Sequence, residues 1–414
     1  MEKKTYADMR SNWEFGEASE CRKGLMCGMG YTVEEQRRPL IGVVNSWNEY
    51  NPGHVHLDKL AERVKQGIRE AGGLPVEVMT TAVCDGMVMK DPRYIEVPSR
   101  NCIADQVELT SESNMFDGMV LLSTCDSIVP GHLMGAARVN IPTILVTGGY
   151  MPLGHCRGQE VLHIHAQDKV GTAHKGAMDM DLYNDLIENS WGTCGACTSM
   201  TTANSMCMVS EALGMSLPNN ATMDATGSQL YKLAYKAGKQ IMYLVEHDIK
   251  ARDIMTVEAI KNAIKMDMAV AGSSNLILHI PAIANEAGYD LPWWKYFDEA
   301  ATIHYAVAKI FGPLLFGRGW CGYACWTAMV LDFLPYKVPQ KPRKKIGWIR
   351  YITFAISFVF VSCLFLVQVA NIERIMFWAF LVGNLLYYTV GICLAFLFRD
   401  NRAFCKYVCP ITVF

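Results

Sequence analysis

Apolar positions along this chain follow two different rhythms. From Leu40 onward, short apolar runs alternate with amphipathic stretches. LIGVVNSW reads as a strand, the recurrence of Leu60, Val64 and Ile68 as a helix closed by Gly72-Gly73, and Val76 to Val83 as a second strand. Met119 to Cys125 and Ile141 to Gly149 give two more strands, with PGHLMGAARV as the helix between them. Such alternation predicts an α/β domain in which helices cover a parallel sheet. Beyond Ala301 the rhythm changes. Tyr351 to Ala370 and Phe377 to Phe398 are each about 20 residues without a charged side chain, the length at which a helix crosses a bilayer. The expected organisation is an α/β domain over residues 1–298, a junction at 299–304, and a membrane segment with two transmembrane helices over 305–414.

Charge narrows the partners. With 38 Lys+Arg against 40 Asp+Glu, the net charge of -2 offers no nucleic-acid surface. KPRKK (Lys341 to Lys345) and Arg350 precede the first apolar span, and Arg399, Arg402 and Lys406 follow the second, so both outer flanks are expected on the cytoplasmic side. The start, MEKKTYADMRSNWEF, carries no apolar run, which places the first half in the cytoplasm and the whole chain at the inner membrane. Were the join between the halves an artefact, the first half alone would be cytoplasmic.

Fifteen cysteines in that setting read as thiols, and clustered ones as metal ligands. In parallel sheets functional groups gather where strands end. Cys84-Asp85-Gly86 follows one predicted strand, and Cys125-Asp126 closes another. TCGAC (Thr193 to Cys197) is expected to open a long helix, TSMTTANSMCMVSEALGM, whose free N–H groups would favour a thiolate. Cys125, Cys194 and Cys197 are therefore candidate iron–sulfur ligands, and Asp85 and Asp126 hard oxygen ligands for magnesium. A strand-end cysteine can equally be a small buried hydrophobe, and Cys84, Cys102, Cys156 and Cys207 are assigned that structural role. His54, His56 and His132 read as hydrogen-bonding residues before they read as ligands.

Several long motifs in order carry a resemblance: NSWNEYNPGHVHL, CDGM with VPSRNCIADQVE, CDSIVPGHLMGAARVNIP, TCGACTSMTTANSM and AGSSNLILHIPAIANEAG. From Arg38 to Asp298 the chain resembles the dihydroxy-acid and sugar-acid dehydratases. That resemblance implies a hydro-lyase converting a 2,3-dihydroxy carboxylic acid, a sugar acid or a branched one, into a 2-oxo acid. It also implies an iron–sulfur cluster as Lewis acid, Mg2+ at the carboxylate end, and pairing of two chains. By motif, Cys125 and Cys197 match cluster ligands and Asp85 and Asp126 match magnesium ligands, with Cys194 proposed as a third thiolate. Gly272, Ser273, Ser274 and Asn275 match a substrate-pocket loop, although a Ser-Ser-Asn turn also suits a helix cap.

Three departures qualify the resemblance. Gly53 and His54 stand where many relatives have cysteine after the proline, which resembles the branch with a 4Fe-4S rather than a 2Fe-2S cluster. Ser127 replaces a lysine that some relatives carbamylate to bind magnesium. The β-rich second domain that supplies a serine base in the family is not matched, so this truncated chain by itself is expected to lack turnover.

The second half offers FGRGWCGYACW and RAFCKYVCPITVF, with paired thiols Cys321/Cys325 and Cys405/Cys409 at the cytoplasmic face. Cys363 and Cys393 read as apolar residues within helices. Residues 305–414 resemble membrane-anchored ferredoxin-like proteins of the quinol-oxidising and nitrogen-oxide-reductase maturation type. Two alternatives to the hydro-lyase therefore stand, a membrane-anchored iron–sulfur electron-transfer protein and an inactive chimeric fragment. The join of two interrupted resemblances is what a rearranged gene or a misassembled sequence would give.

Overall fold

The computed structural model describes residues 4–12, 17–292, 330–336, 345–366 and 372–409. The chain divides into two compact units, Met1–Pro292 and Trp293–Phe414. The expected junction at 299–304 lies outside the described residues.

In the first unit the elements run α1 (Glu17–Gly28), β1 (Leu40–Asn45), α2 (Leu57–Glu70), β2 (Leu74–Met79), α3 (Asp85–Val88), α4 (Val97–Asn114), β3 (Gly118–Ser123), α5 (Ile128–Val139) and β4 (Thr143–Thr147). A hairpin of β5 (Gly154–Cys156) and β6 (Gln159–Val161) comes next. Helices α6 (His163–His174), α7 (Met180–Asn189), α8 (Thr202–Ala212), α9 (Ser228–Glu246), α10 (Ala251–Ile254), α11 (Val257–Ala269) and α12 (Leu276–Glu286) complete the unit.

The sheet has the order β2-β1-β3-β4 with every pair parallel. Strands β1, β3 and β4 are buried along their whole length, which is why they read as continuous apolar runs. Ile41, Val43, Val120, Leu122, Ile144 and Val146 join one core with the apolar faces of α2 and α9. The alternate residues Gly42, Val44, Met119, Leu121 and Leu145 are buried as well, so both sheet faces are covered. Helices α2 and α9 meet backbone to backbone. A Cβ on Gly67 would lie 2.2 Å from Tyr235 O, and one on Gly238 would lie 2.2 Å from Val64 O.

Two expectations need correction. The strand expected over Val76 to Val83 ends at Met79, because Thr80 N makes the last bond to Asn45 O and β1 stops there. Thr80 Oγ1 then pairs with His132 and Thr81 N with Gln106. The helix expected from Thr198 begins only at Thr202. Asn204 Nδ2 donates back to the carbonyls of Cys197 and Ser199 and holds that segment in a turn. TCGAC is thus a loop ahead of the helix, and no helix end stabilises a thiolate within it.

In the second unit a 3-10 turn (Lys345–Trp348) leads into α13 (Ile349–Leu366), followed by α14 (Ile372–Phe398) and α15 (Ala403–Tyr407). Among the described residues, Phe377–Phe398 is long and apolar enough to cross a membrane. The apolar stretch associated with α13, Ile346–Phe360, is shorter, and residues 367–370 of that expected span lie outside the described residues. Leu331, Phe404 and Cys409 form a small core. Thr353 Oγ1 donates to Val408 O at 2.6 Å, and Asn401 Nδ2 to Leu334 O at 2.7 Å.

Candidate metal centre

The carboxyl ends of the four strands stand level, since Asn45 pairs with both Met79 and Leu122, and Ser123 with Thr147. Loops leaving that edge are fastened to one another. Gly195 N donates to Pro52 O at 3.0 Å, Ala196 N to Gly149 O at 2.9 Å, and Gly148 N to Thr124 Oγ1 at 3.0 Å. His56 Nε2 donates to Gly148 O at 2.7 Å. The loops after β1, β3 and β4 and the TCGAC loop therefore form one framework.

Cys125 lies at its centre. His54 is fully buried, and desolvation holds its pKa down to about 3, so the ring is neutral. Its Nδ1 donates to Ser46 O at 2.9 Å, which leaves Nε2 to accept from Cys125 N at 3.2 Å. Asn51 Oδ1 accepts from Cys125 Sγ at 3.4 Å and from Gly53 N at 2.9 Å. Gly53 is required here because a Cβ would lie 2.3 Å from the Cys125 sulfur. His132 is likewise held near pKa 3 by burial, and its Nε2 bonds to Thr80 Oγ1 at 2.8 Å.

Cys125, Cys197 and Cys84 influence one another electrostatically. Burial pushes Cys125 well up, and the next contributions come from Cys197 and then Cys84. Cys197 is pushed up to about 11, by burial first and Cys84 next. Cys84 is raised by burial, with Asp85 and Asp126 adding to it. Cys194 stands apart from this set. The nearby His56 outweighs its partial burial and lowers it, and Thr193 Oγ1 lies 3.8 Å from its sulfur. Gly195, at φ 120°, turns the chain between the two cysteines of TCGAC. Cys207 is buried within α8 and donates to Thr124 O at 3.5 Å, the structural role expected of it.

Beside the thiols stands a carboxylate cluster. Asp85 opens α3, Asp126 follows Cys125, Glu96 is the residue before α4, and His279 lies within α12. Ligand atoms of Glu96, Asp126 and His279 lie within 4.8 Å of one another. His279 Nε2 is 3.2 Å from Glu96 Oε2 and 3.8 Å from Asp126 Oδ1, close enough for electrostatic attraction but outside hydrogen-bond alignment. Burial, then the charges of Asp126 and Glu96, push Asp85 up to about 8. Burial opposes a charge on His279, but Asp126 and Glu96 outweigh it and the pKa rises. Asp85 Oδ1, Asp126 Oδ1, Glu96 Oε2 and His279 Nε2 are buried without hydrogen-bond partners. Orphaned oxygens of that kind fit a hard divalent cation. The buried thiols next to them fit an iron–sulfur cluster, whose irons would take the place of their protons.

Sequence reasoning missed Cys84, Glu96 and His279. His279 follows Asn275 by four residues, a spacing that puts both on one helix face, and this signal was available. Ser273 Oγ meets Thr202 Oγ1 at 2.8 Å, and Asn275 Nδ2 donates to Glu96 Oε1 at 2.7 Å and Thr202 Oγ1 at 3.1 Å. Ser274 is exposed. Asn275 occupies the N-cap of α12 but makes no capping bond, so its amide serves the cluster. Cys102 is exposed and Cys156 buried. In the second unit Cys405 is half-buried and Cys409 buried, whereas Cys321 and Cys325 lie outside the described residues.

Comparison with known proteins places the two parts of the chain in known families. Residues 38–310 match the family described as dihydroxy-acid/6-phosphogluconate dehydratase N-terminal. Residues 305–348 and 377–414 match a 4Fe-4S binding domain. The dihydroxy-acid dehydratase of Caldicellulosiruptor saccharolyticus is 49% identical over 272 residues, covering 65% of this chain and 49% of that protein. Dihydroxy-acid dehydratase 1 of Methanosarcina acetivorans is 44% identical over 301 residues, covering 72% and 54%. The Pyrococcus furiosus dihydroxy-acid dehydratase is 48% identical over 271 residues, covering 65% and 49%. The chain spans about half the length of the curated relatives it matches.

Proposed function

The chain belongs to the dihydroxy-acid/6-phosphogluconate dehydratase family, and from that premise we propose that its first unit is the metal-binding half of a hydro-lyase. The substrate is a 2,3-dihydroxy carboxylic acid, and the products are water and a 2-oxo acid. One observation supports the reading: buried Cys125 and half-buried Cys84 and Cys197 interact electrostatically near the carboxylates of Asp85 and Asp126 at the carboxyl edge of the sheet. Bound there, an iron–sulfur cluster with an open iron supplies a Lewis acid for the leaving hydroxyl, and Mg2+ a charge that holds the substrate carboxylate and steadies the enolate.

The chain's own residues prepare this chemistry. Asn51 and His54 fix Cys125, one at its sulfur and the other at its backbone N–H. Gly53 leaves the sulfur uncovered on that side. Asn275 and Thr202 hold the Ser273 loop against Glu96. The test is anaerobic purification of the full-length chain with assay of iron and acid-labile sulfide. Formation of 2-oxo acid is then measured with the second half of a relative supplied in trans. Iron and sulfide together are expected, lowered in Cys125→Ser to what residues 305–414 alone hold; a colourless, iron-free chain, or full iron in that variant, would refute the reading.

The 4Fe-4S domain match supports a second activity for residues 305–414, electron transfer at the inner membrane, with Phe377–Phe398 as a transmembrane helix and the tract over Tyr351 to Ala370 as a second. Cys405 and Cys409 lie next to the basic flank of Arg402 and Lys406 expected on the cytoplasmic side. Membranes carrying the full chain should show a redox-active centre that Cys405→Ser removes. An unchanged signal in that variant would exclude it.

A further inference from the structure

The cation site contains one carboxylate that neither the motifs nor the comparisons point to. Glu96 reaches the cluster from the residue before α4, with φ 58° and ψ -109°, a conformation that costs an L-residue about 1–3 kcal/mol. Its Oε1 is held by Asn275 Nδ2 at 2.7 Å, while Oε2 is buried without a hydrogen bond and faces His279 and Asp126. The His279 side chain is fully buried, and its Nε2 is likewise unpartnered and aimed at the same point.

Charge counting makes this arrangement incomplete. Three carboxylates, Asp85, Asp126 and Glu96, face His279 and Arg100. Arg100 is itself engaged, donating to Leu278 O at 2.9 Å and approaching His279 Nδ1 at 3.3 Å. With both positive side chains charged, Asp126 and Glu96 are balanced only because burial and its neighbours keep a proton on Asp85, pushed up to about 8. Ser127, next to Asp126, brings no charge, and its buried hydroxyl has no partner. A divalent cation among the three carboxylates displaces that proton and uses the orphaned oxygens of Asp85, Asp126 and Glu96.

We infer that Glu96 is a direct ligand of the divalent cation, completing with Asp85 and Asp126 an all-carboxylate site. The inference rests on the magnesium reading above and adds a ligand to it. Asn275 then acts as a positioning residue, fixing one Glu96 oxygen so that the other points at the ion.

The test is titration of the EDTA-treated, full-length chain with Mn2+, followed by loss of the free-ion EPR signal, for wild type, Glu96→Gln, Glu96→Asp and Asp126→Asn. Expected are a saturable site in wild type and affinity about 10- to 100-fold weaker in Glu96→Gln, with smaller loss in Glu96→Asp. The iron content of Glu96→Gln should be unchanged. Metal-free Glu96→Gln loses its attraction to His279, so its melting temperature is read beside its Mn2+ affinity. Wild-type affinity in Glu96→Gln with loss in Asp126→Asn would overturn the role of Glu96 and leave the magnesium site standing. Absence of a saturable site in wild type would overturn both. A lower melting temperature in metal-free Glu96→Gln with unchanged Mn2+ affinity would mark Glu96 as a structural partner of His279 and also overturn the inference.

Discussion

Gly53→Ala tests the placement of Cys125 with a single methyl group. The new Cβ would stand 2.3 Å from Cys125 Sγ and 3.3 Å from Asn51 Oδ1, where ordinary contact begins at 3.4 Å. The sulfur therefore has to move by about 1 Å. It cannot do so freely, because its backbone N–H is tied to His54 and the side chain is fully buried. Overpacking of this kind costs roughly 1–3 kcal/mol in the metal-free chain. Its effect on the cluster should be larger, since misplacing a reacting or ligating atom by about 1 Å can cost 100-fold. Iron and sulfide per chain, with the visible charge-transfer band, provide the assay. Gly171→Ala in α6 is the control, because its Cβ would meet nothing within 4 Å. That helical change should stabilise by about 0.5–1 kcal/mol and leave iron content alone. Full iron and an unchanged unfolding midpoint in Gly53→Ala would mean that Cys125 does not face Gly53 as described, and the thiol site would fall with it.

Further predictions follow from the same geometry. Cys84→Ser should lose most of its iron while Cys194→Ser keeps it, as read by metal analysis; the reverse pattern would restore Cys194 as third thiolate. His54 and His132, held near pKa 3 by burial, must take up protons on unfolding below their ordinary value of 6.5. Their folded pKa values are depressed, so this stability is complete above pH 6.5 and shrinks as pH falls, by roughly 1.4 kcal/mol per pH unit for each residue. Denaturant midpoints at pH 7 and 5.5 should show the loss, and His132→Gln should halve its slope. Asp85, raised to about 8, must lose its proton to bind a cation, so Mn2+ affinity should rise about tenfold per unit as pH approaches 8 and then level off. An affinity independent of pH would show Asp85 already ionised.

The sequence made the sheet legible because its central strands are uninterrupted aliphatic runs, and a strand buried on both faces has to be written that way. It misplaced the end of β2 because Thr80 to Val83 have strand propensity but no neighbouring strand to bond. Cys125 and Cys197 could be read from their motifs. Cys194 was a more attractive third ligand than Cys84 on paper, since TCGAC was expected to open a helix whose free N–H groups favour a thiolate. The helix begins only at Thr202, so that reason falls away, while Cys84 arrives from the end of a different strand. Glu96 and His279 were invisible for a related reason, because they are distant in sequence and meet only when α4 and α12 pack beside α5.

The centre is physically unfavourable until it is filled. An orphaned buried polar atom costs about 1–3 kcal/mol, and four such atoms lie in the carboxylate cluster alone. Three thiols beside them are held protonated by burial, and the Asp85 carboxyl is pushed up by its neighbours. On the function proposed above, the penalties at the carboxylates and thiols are relieved when a cation or cluster binds the folded chain, and none exists in the unfolded one. Binding and local folding at the carboxyl edge are therefore one equilibrium, whereas the aliphatic core between α2, α9 and the sheet owes nothing to metal. Chelation should loosen the loops bearing Cys84, Glu96 and Cys125 long before it unfolds the sheet. Amide exchange on chelation that quickened equally in β1 and in those loops would contradict this separation.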